Sequence, residues 1–558
     1  MSQEVVTVSQ GHKTLILLCA ALEKLGSGLN LQDIGKWLGE GDSAVEVRAI
    51  PDLCDRPGEV VEAVATSGAT HLVLGLCSRE YPQIEFHAHA RRVGIEPFGI
   101  EVVNLGGYCA LVHPRAEGTD KAKLLLHAAV ARSRAFPGTH PESVKPVISW
   151  DQTLSRRALF TLPPLHYEPV PCIRREDCAF EDGCRVCAMT CPWHAMHPSE
   201  EGLMVLEKSR CTGCGACVSA CPQTAIDLPG VSPQQVNAQI DALLNGASLS
   251  IGPRAIFFVC ARSAQALEEL AQKGLSYPAG WLPVEVPCVG MVTPTWLLQS
   301  LNLGATATGV LPCLRTDCRY GQRGVTEGRV AYCRAFLETL GAPPDSVKLL
   351  DPRDERQLAR ALNALPDREK VPGRDRSSDI RLFTPRGATQ ALLGMTERFA
   401  PSSDGSFAHP YSPVGLVRVE QGCTTCEACV HVCPTGALTM ESDEDMRELT
   451  FDAGLCIGCE ACVPVCPERV VRVEKVTDLS RLARGKLTLH RGSETRCQAC
   501  GAAVAPGAML ERIAGMLGAE DSGTLSFISR YCTSCRGTLM LGGGSPQSDI
   551  GVDLTGPR

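Results

Sequence analysis

Cysteine carries the chemistry of this chain. The 558 residues include 30 cysteines, most of them in closely spaced sets. Neighbouring thiolates either pair as disulfides or bind a soft metal. A disulfide scaffold suits a short secreted chain. This chain is long and rich in Cys-x-x-Cys pairs, and its opening MSQEVVTVSQGHKTLILLCA lacks a basic region followed by a cleavable apolar stretch. Metal binding is the expected chemistry. The cleanest set reads Cys423, Cys426, Cys429, Cys433-Pro434, then Cys456, Cys459, Cys462, Cys466-Pro467. Three cysteines at this spacing wrap one corner of an iron–sulfur cubane, and the fourth, with its proline, reaches across to a second cubane. The proline cannot continue a helix and turns the chain away after its ligand. One [4Fe–4S] cluster is expected on Cys423, Cys426, Cys429 and Cys466, and another on Cys456, Cys459, Cys462 and Cys433.

A second two-cluster run lies upstream. One half is regular: Cys211, Cys214, Cys217, Cys221-Pro222. The other, Cys178, Cys184, Cys187, Cys191-Pro192, has three extra residues in its first loop. Crossed ligation predicts one [4Fe–4S] cluster on Cys178, Cys184, Cys187 and Cys221, and one on Cys211, Cys214, Cys217 and Cys191. Cys172, six residues before Cys178, is an alternative ligand, and the longer loop also permits a three-iron cluster. Near the end, Cys497 and Cys500-Gly501 face Cys532 and Cys535 as two knuckles. A closed tetrahedral S₄ site suits structural zinc, with iron as the alternative.

The other cysteines are far apart and need a fold to gather them. Strand-like runs Thr14–Leu18, Val45–Ile50 and His71–Leu76, with a helix-like stretch Glu59–Ser67, predict a parallel sheet with covering helices. Cys19, Cys54 and Cys77 follow those strands, at the carboxyl edge where such sheets bind ligands, and Cys109 in GGYC could close the set. The pattern recurs with Ala255–Val259, Val284–Val286 and Gly309–Leu311, the helix-like Ser263–Lys273, and Cys260, Cys288, Cys313 and Cys318. Taken singly, such cysteines could be small buried hydrophobes. Four per domain, twice, favours metal sites. These groups use 28 of the 30 cysteines and leave Cys172 and Cys333 as structural or spare.

The cysteine runs resemble bacterial two-cluster ferredoxins. The segments DLCDRPGEVVEAV, HLVLGLCSREYPQIEFHAHARRVGIEPFGIEVVNLGGYCALVH and KAKLLLHAAVA resemble the N-terminal domain of the A subunit of heterodisulfide reductase. That resemblance implies a cluster, here expected as [4Fe–4S], on Cys19, Cys54, Cys77 and Cys109. VEVPCVGMVTPTWLLQSLNLGATATGVLPCLRTDCRYGQRG and EGRVAYCRAFLETLG resemble the delta subunit of methyl-viologen-reducing hydrogenase, which implies [2Fe–2S] in the middle domain. That family carries extra cysteines where this chain reads CARSA. No flavin is expected. The Gly39-Glu-Gly41 pattern follows no strand, and residues 136–165 are too few for a flavin domain.

The fold class expected is multidomain α/β plus α+β. Residues 1–145 and 252–352 would be small parallel-sheet α/β domains, 165–230 and 414–475 ferredoxin-like 2[4Fe–4S] modules, and 490–540 a zinc-ribbon-like module. Residues 371–412 read as a linker and 541–558 as a tail. A net charge of −8 argues against a nucleic-acid partner, and no apolar run is long enough to span a membrane. Ser155-Arg156-Arg157-Ala158-Leu159-Phe160 lies inside the chain and reads as a basic linker, not an export signal. His87 and His89 are minor candidates beside the N-terminal site; Tyr277 and Trp281 read as packing residues. No catalytic base or nucleophile is evident. The expected function is cytoplasmic, non-catalytic relay of single electrons within a larger oxidoreductase, its partners being catalytic subunits and soluble ferredoxin. An enzyme acting on a disulfide or sulfur compound through an open iron, or a scaffold, are the alternatives.

Overall fold

A computed structural model describes residues 13–78, 83–148, 165–245, 249, 251–313, 323–350, 353–364, 383–400, 405–443, 445–517 and 522–541. They form two compact units. The first holds residues 1–181, 185–403 and 409–413, and the second holds 182–184, 404–408 and 414–558.

The first unit contains both α/β domains. In the N-terminal one, four parallel strands lie in the order Val45–Ile50, Thr14–Cys19, His71–Leu76, Glu101–Asn104. The central strand TLILLC is buried at every residue, as expected where helices cover both faces of a parallel sheet. The chain leaves that strand for one neighbour and later returns to the other. The switch point therefore lies beside Cys19, the last residue of the strand. Gly39 and Gly41 end the helix Leu31–Gly41, so they form no phosphate-binding loop.

The middle domain repeats the topology, in the order Trp281–Val286, Ala255–Cys260, Thr308–Leu311, Val347–Leu349, all parallel. Its edge strand begins three residues before the expected Val284. Pro283 has no N–H for the ladder and is tolerated there because the strand is at an edge. Trp281 is fully buried and donates Nε1–H to the Leu362 carbonyl at 2.6 Å, consistent with packing. Part of the segment expected as linker is helical: Ala388–Phe399 packs on the helix Pro294–Asn302. Its Ala391 carbonyl accepts from Asn302 Nδ2 at 3.0 Å. The apolar set Ala391, Leu392 and Met395 drives this burial and outweighs the charged flanks.

The cysteine-run modules are built from short pieces. In the first, strand Cys172–Ile173 pairs antiparallel with Ile226–Asp227. In the second unit, Leu416–Val419 pairs antiparallel with Val471–Glu474. Each pairing closes the run on itself and brings the end of the second half back to the start of the first. The second unit then extends a four-stranded antiparallel sheet, in the order Leu438–Ser442, Met446–Asp452, Lys486–Arg496, Ala503–Pro506, so the terminal knuckles share a sheet with the second run. No helix among the described residues is long and apolar enough to cross a membrane.

Candidate metal centres

Three local turns recur in the cysteine runs, and each aims amides or thiols at one point. The residue two after the leading cysteine is left-handed in three of the runs: Gly213 at φ 73°, Thr425 at 48° and Gly458 at 60°. The amide there donates to the leading sulfur, as Gly213 N–H does to Cys211 Sγ at 3.4 Å. The residue after the second cysteine is also left-handed, in Gly215 at 78°, Glu427 at 64° and Glu460 at 62°. The third residue after each Cys-Pro cysteine repeats the device: His194, Thr224, Gly436 and Arg469 all have positive φ. It lets the next amide fold back, so Ala195 N–H and Ala225 N–H donate to Cys191 Sγ and Cys221 Sγ at 3.3 Å each. Amides directed at sulfur favour the thiolate, the metal-binding form.

Two of the crossed sets meet in space. One small cavity is lined by Cys191, Cys211, Cys214 and Cys217, and another by Cys423, Cys426, Cys429 and Cys466. A third set is joined electrostatically, as is one pair of the fourth. Cys433 bears on Cys456, Cys459 and Cys462, and Cys178 on Cys221. Burial and the neighbouring thiols push Cys429 and Cys462 up to about 12 and Cys456 to about 11. Four crowded thiols that resist ionisation alone are suited to a cationic core, which reverses that cost. Thus a cubane fits both cavities. The lengthened loop departs from the pattern. Arg185 stands where the other three runs have a left-handed residue and has φ −132°, and Cys184 belongs with the residues of the second unit.

At the N-terminal sheet edge, the sulfurs of Cys19, Cys54 and Cys77 lie within 4.8 Å of one another. Cys77 N–H donates to Cys54 Sγ at 3.4 Å. The Cys77 thiol also donates to that sulfur, and together they pull Cys54 down to about 6 while Cys77 is held above the ordinary thiol range. Cys109, expected as the fourth ligand, lies outside this group, buried in the turn Gly106–Ala110. Neither His87 nor His89 joins it.

In the middle domain, Cys260 ends its strand with Sγ 3.3 Å from Ser263 Oγ, and Cys288 Sγ accepts from Gly290 N–H at 3.3 Å. Cys313 is buried just beyond Thr308–Leu311. Among the described residues no three of this domain's cysteines come within 4.8 Å, and Cys318 lies outside the described residues. Ser155–Phe160 also lies outside them. Cys333 is fully buried, with burial raising its thiol.

At the chain's end the sulfurs of Cys497, Cys500, Cys532 and Cys535 lie within 4.8 Å of one another. Gly501 has φ +73° and returns its N–H to the Cys497 carbonyl at 2.8 Å, closing the first knuckle. The Cys532 amide of the second knuckle, with those of Ala499 and Cys500, pulls Cys497 down to about 6. One group was missed in the sequence: His140, Glu142 and Cys172 also offer ligand atoms within 4.8 Å of one another. The segment 170–172 is tied to the His140 turn by Val170 N–H to the Ser143 carbonyl at 2.8 Å, a long-range contact that no local spacing encodes.

Residues 181–226 and 422–470 each match the 4Fe-4S dicluster domain, and residues 255–368 match the methyl-viologen-reducing hydrogenase delta subunit. The chain carries two [4Fe–4S] dicluster domains. It is 37% identical over 123 residues to the iron-sulfur A subunit of CoB–CoM heterodisulfide reductase from Methanocaldococcus jannaschii, covering 21% of this chain and 19% of that one. It is 27% identical over 126 residues to the iron-sulfur D subunit of the F420-non-reducing hydrogenase vhu from Methanococcus voltae, covering 22% of this chain and 93% of that one. A third relative, the heterodisulfide reductase A subunit numbered 1 in Methanopyrus kandleri, is 23% identical over 134 residues, which cover 23% of this chain and 20% of that one. The chain therefore spans about a fifth of the heterodisulfide reductase relatives it matches.

Proposed function

We propose that this chain is an iron–sulfur electron-transfer subunit that relays single electrons inside a larger oxidoreductase. The observation that carries this reading is the crossed quartet lining each small cavity: Cys191 with Cys211, Cys214 and Cys217, and Cys466 with Cys423, Cys426 and Cys429. Clusters saturated by four thiolates exchange electrons without binding substrate. The protein supplies the thiolates and the amide donors that hold them charged. Relatives that are subunits of a heterodisulfide reductase and a hydrogenase support a catalytic partner, with soluble ferredoxin as a second one. The cytoplasm is the compartment proposed, because free thiols and clusters persist in a reducing environment.

The finer assignment has one cluster at Cys19, Cys54, Cys77 and Cys109, of [4Fe–4S] type, and a [2Fe–2S] cluster on Cys260, Cys288, Cys313 and Cys318. It puts zinc in a ribbon-like C-terminal module, in the cage of Cys497, Cys500, Cys532 and Cys535. The test is anaerobic loading followed by iron analysis and a reductive titration monitored by electron paramagnetic resonance (EPR). The two dicluster modules alone require about 16 irons, four in each of four cubanes. Eight or fewer irons in fully loaded protein would reject the reading.

A further inference from the structure

In each dicluster module a lysine grips the leading turn of one cysteine run. In the first module that lysine comes from outside the run. Strand Val144–Ile148 pairs antiparallel with Leu165–Pro169, with Lys145 opposite Glu168. Both strands precede residues 181–226, which match the dicluster domain. The pair closes on the turn that begins at Cys211. Lys145 Nζ donates to the Cys211 carbonyl at 2.7 Å, and a Cβ on Gly213 would stand 3.0 Å from the Pro169 carbonyl oxygen. Gly213 is the residue whose N–H donates to Cys211 Sγ at 3.4 Å. The second module makes a comparable contact from its own chain. Lys475 lies between the strands Val471–Glu474 and Val476–Asp478, and its Nζ donates to the Gly458 carbonyl. Gly458 takes the place of Gly213: its φ is +60° and its amide donates to the Cys456 sulfur.

The carbonyl oxygen and the sulfur of one cysteine are at most about 5 Å apart, so the Lys145 ammonium lies within roughly 8 Å of Cys211 Sγ. Burial raises the Cys211 and Cys459 thiols, and Lys145 and Lys475 respectively oppose that rise. A fixed cation at this range bears directly on electron affinity. One electron from a reduced partner adds one negative charge to a thiolate-held cubane and later leaves to an oxidised partner, with no bond or proton exchanged. The cation favours the form that carries the extra charge. The Lys145 side chain is 16% exposed, so salt screens it little. Glu168 lies 3.5 Å from the same ammonium, so a neutral residue at 145 would remove the cation and leave that carboxylate less compensated.

We infer that Lys145 and Lys475 raise the midpoint potentials of the cubanes they approach, one on Cys191, Cys211, Cys214 and Cys217 and the other on Cys456, Cys459, Cys462 and Cys433. This deepens the electron-transfer reading above and rests on it. Neither lysine is a ligand; each acts through where its charge is held.

The test uses the full chain loaded anaerobically, titrated with dithionite and followed by EPR. Cys214→Ala and Cys459→Ala identify the signal of each cubane by its loss. Lys145→Met and Lys145→Gln remove the charge, Gln keeping a donor for the carbonyl, and Lys145→Arg keeps the charge. At a fixed potential both neutral variants should lower the reduced-to-oxidised ratio of the Cys214 cubane about tenfold, a downward midpoint shift of about 59 mV for one electron. Iron content should stay at the wild-type value, the other midpoints should move less, and Lys145→Arg should stay close to wild type. Lys475→Met should act in the same way on the Cys459 cubane. Unmoved midpoints in iron-replete neutral variants would overturn the inference. So would an equal drop in Lys145→Arg, which would trace the effect to the geometry of the turn and not to charge. Loss of that cubane's iron in both Lys145→Met and Lys145→Gln would make the lysine a folding clamp and also overturn it. Wild-type protein without dicluster iron would sink the electron-transfer reading instead.

Discussion

Replacing Gly106 by alanine should destabilise the N-terminal domain although the helical turn around it would favour alanine. The added Cβ would stand 1.7 Å from the Cys77 carbonyl oxygen, 2.6 Å from its carbon and 2.9 Å from Leu25 Cδ2. Cβ contacts below about 3 Å do not persist, so the turn or the Cys77 backbone must move by more than about 1 Å. Overpacking of this kind costs roughly 1–3 kcal/mol, and backbone on both sides leaves no flexible side chain to yield, so the upper end applies. Helix propensity alone would give about 1 kcal/mol in the opposite direction. Gly39 is the control. It lies in the helix Leu31–Gly41 and its added Cβ would meet nothing within 4 Å, so Gly39→Ala should stabilise by up to about 1 kcal/mol. The assay is anaerobic thermal unfolding of the full chain, following the far-ultraviolet circular dichroism transition that Gly39→Ala moves upward. Gly106→Ala should move the same transition downward by several degrees. A Gly106→Ala transition at or above wild type would refute the close approach, and with it the placement of the Cys109 turn against Cys77.

Other outcomes follow from the same geometry. Cys433→Ser should alter the EPR signal of the cluster held by Cys456, Cys459 and Cys462 and spare that of Cys423, Cys426 and Cys429; the reverse pattern would reject the crossed ligation. A strong zinc chelator should remove about one zinc per chain and loosen residues 497–535 without bleaching the cluster absorption, whereas release of iron from that cage would refute the zinc assignment. Burial, with Glu285 nearby, raises the Glu101 carboxyl to about 7 despite Arg132 beside it. A raised carboxyl contributes stability that is present below its unfolded value near 4.5 and lost as pH rises through about 7. Glu101→Gln should therefore gain on the wild type between pH 5 and pH 8, by on the order of 2–3 kcal/mol, seen as diverging unfolding midpoints; parallel midpoints would contradict the buried placement.

Sequence alone determined what periodicity and spacing carry. The strands Val45–Ile50 and His71–Leu76 and the helix Glu59–Ser67 were legible to the residue: His71–Leu76 carries the near-continuous apolar run of a strand buried on both faces, and VEVRAI alternates as a half-exposed edge strand does. The cysteine runs were equally legible. Three of each cluster's ligands lie within one or two turns of one another, and left-handed residues at Thr425, Glu427, Glu460 and several glycines turn the chain between them. Tertiary structure decided everything that depends on distant segments meeting. Spacing could not show that the Lys121 ammonium is buried beside His113 and Tyr277, because those contacts depend on how the helix Arg115–Arg134 packs. Nor could it show that His140 and Glu142 approach Cys172, or that Ala388–Phe399 folds onto Pro294–Asn302 within a segment whose charge resembles a linker. Local composition reports on one segment's solvent preference, whereas a ligand set drawn from several segments depends on the packing of all of them.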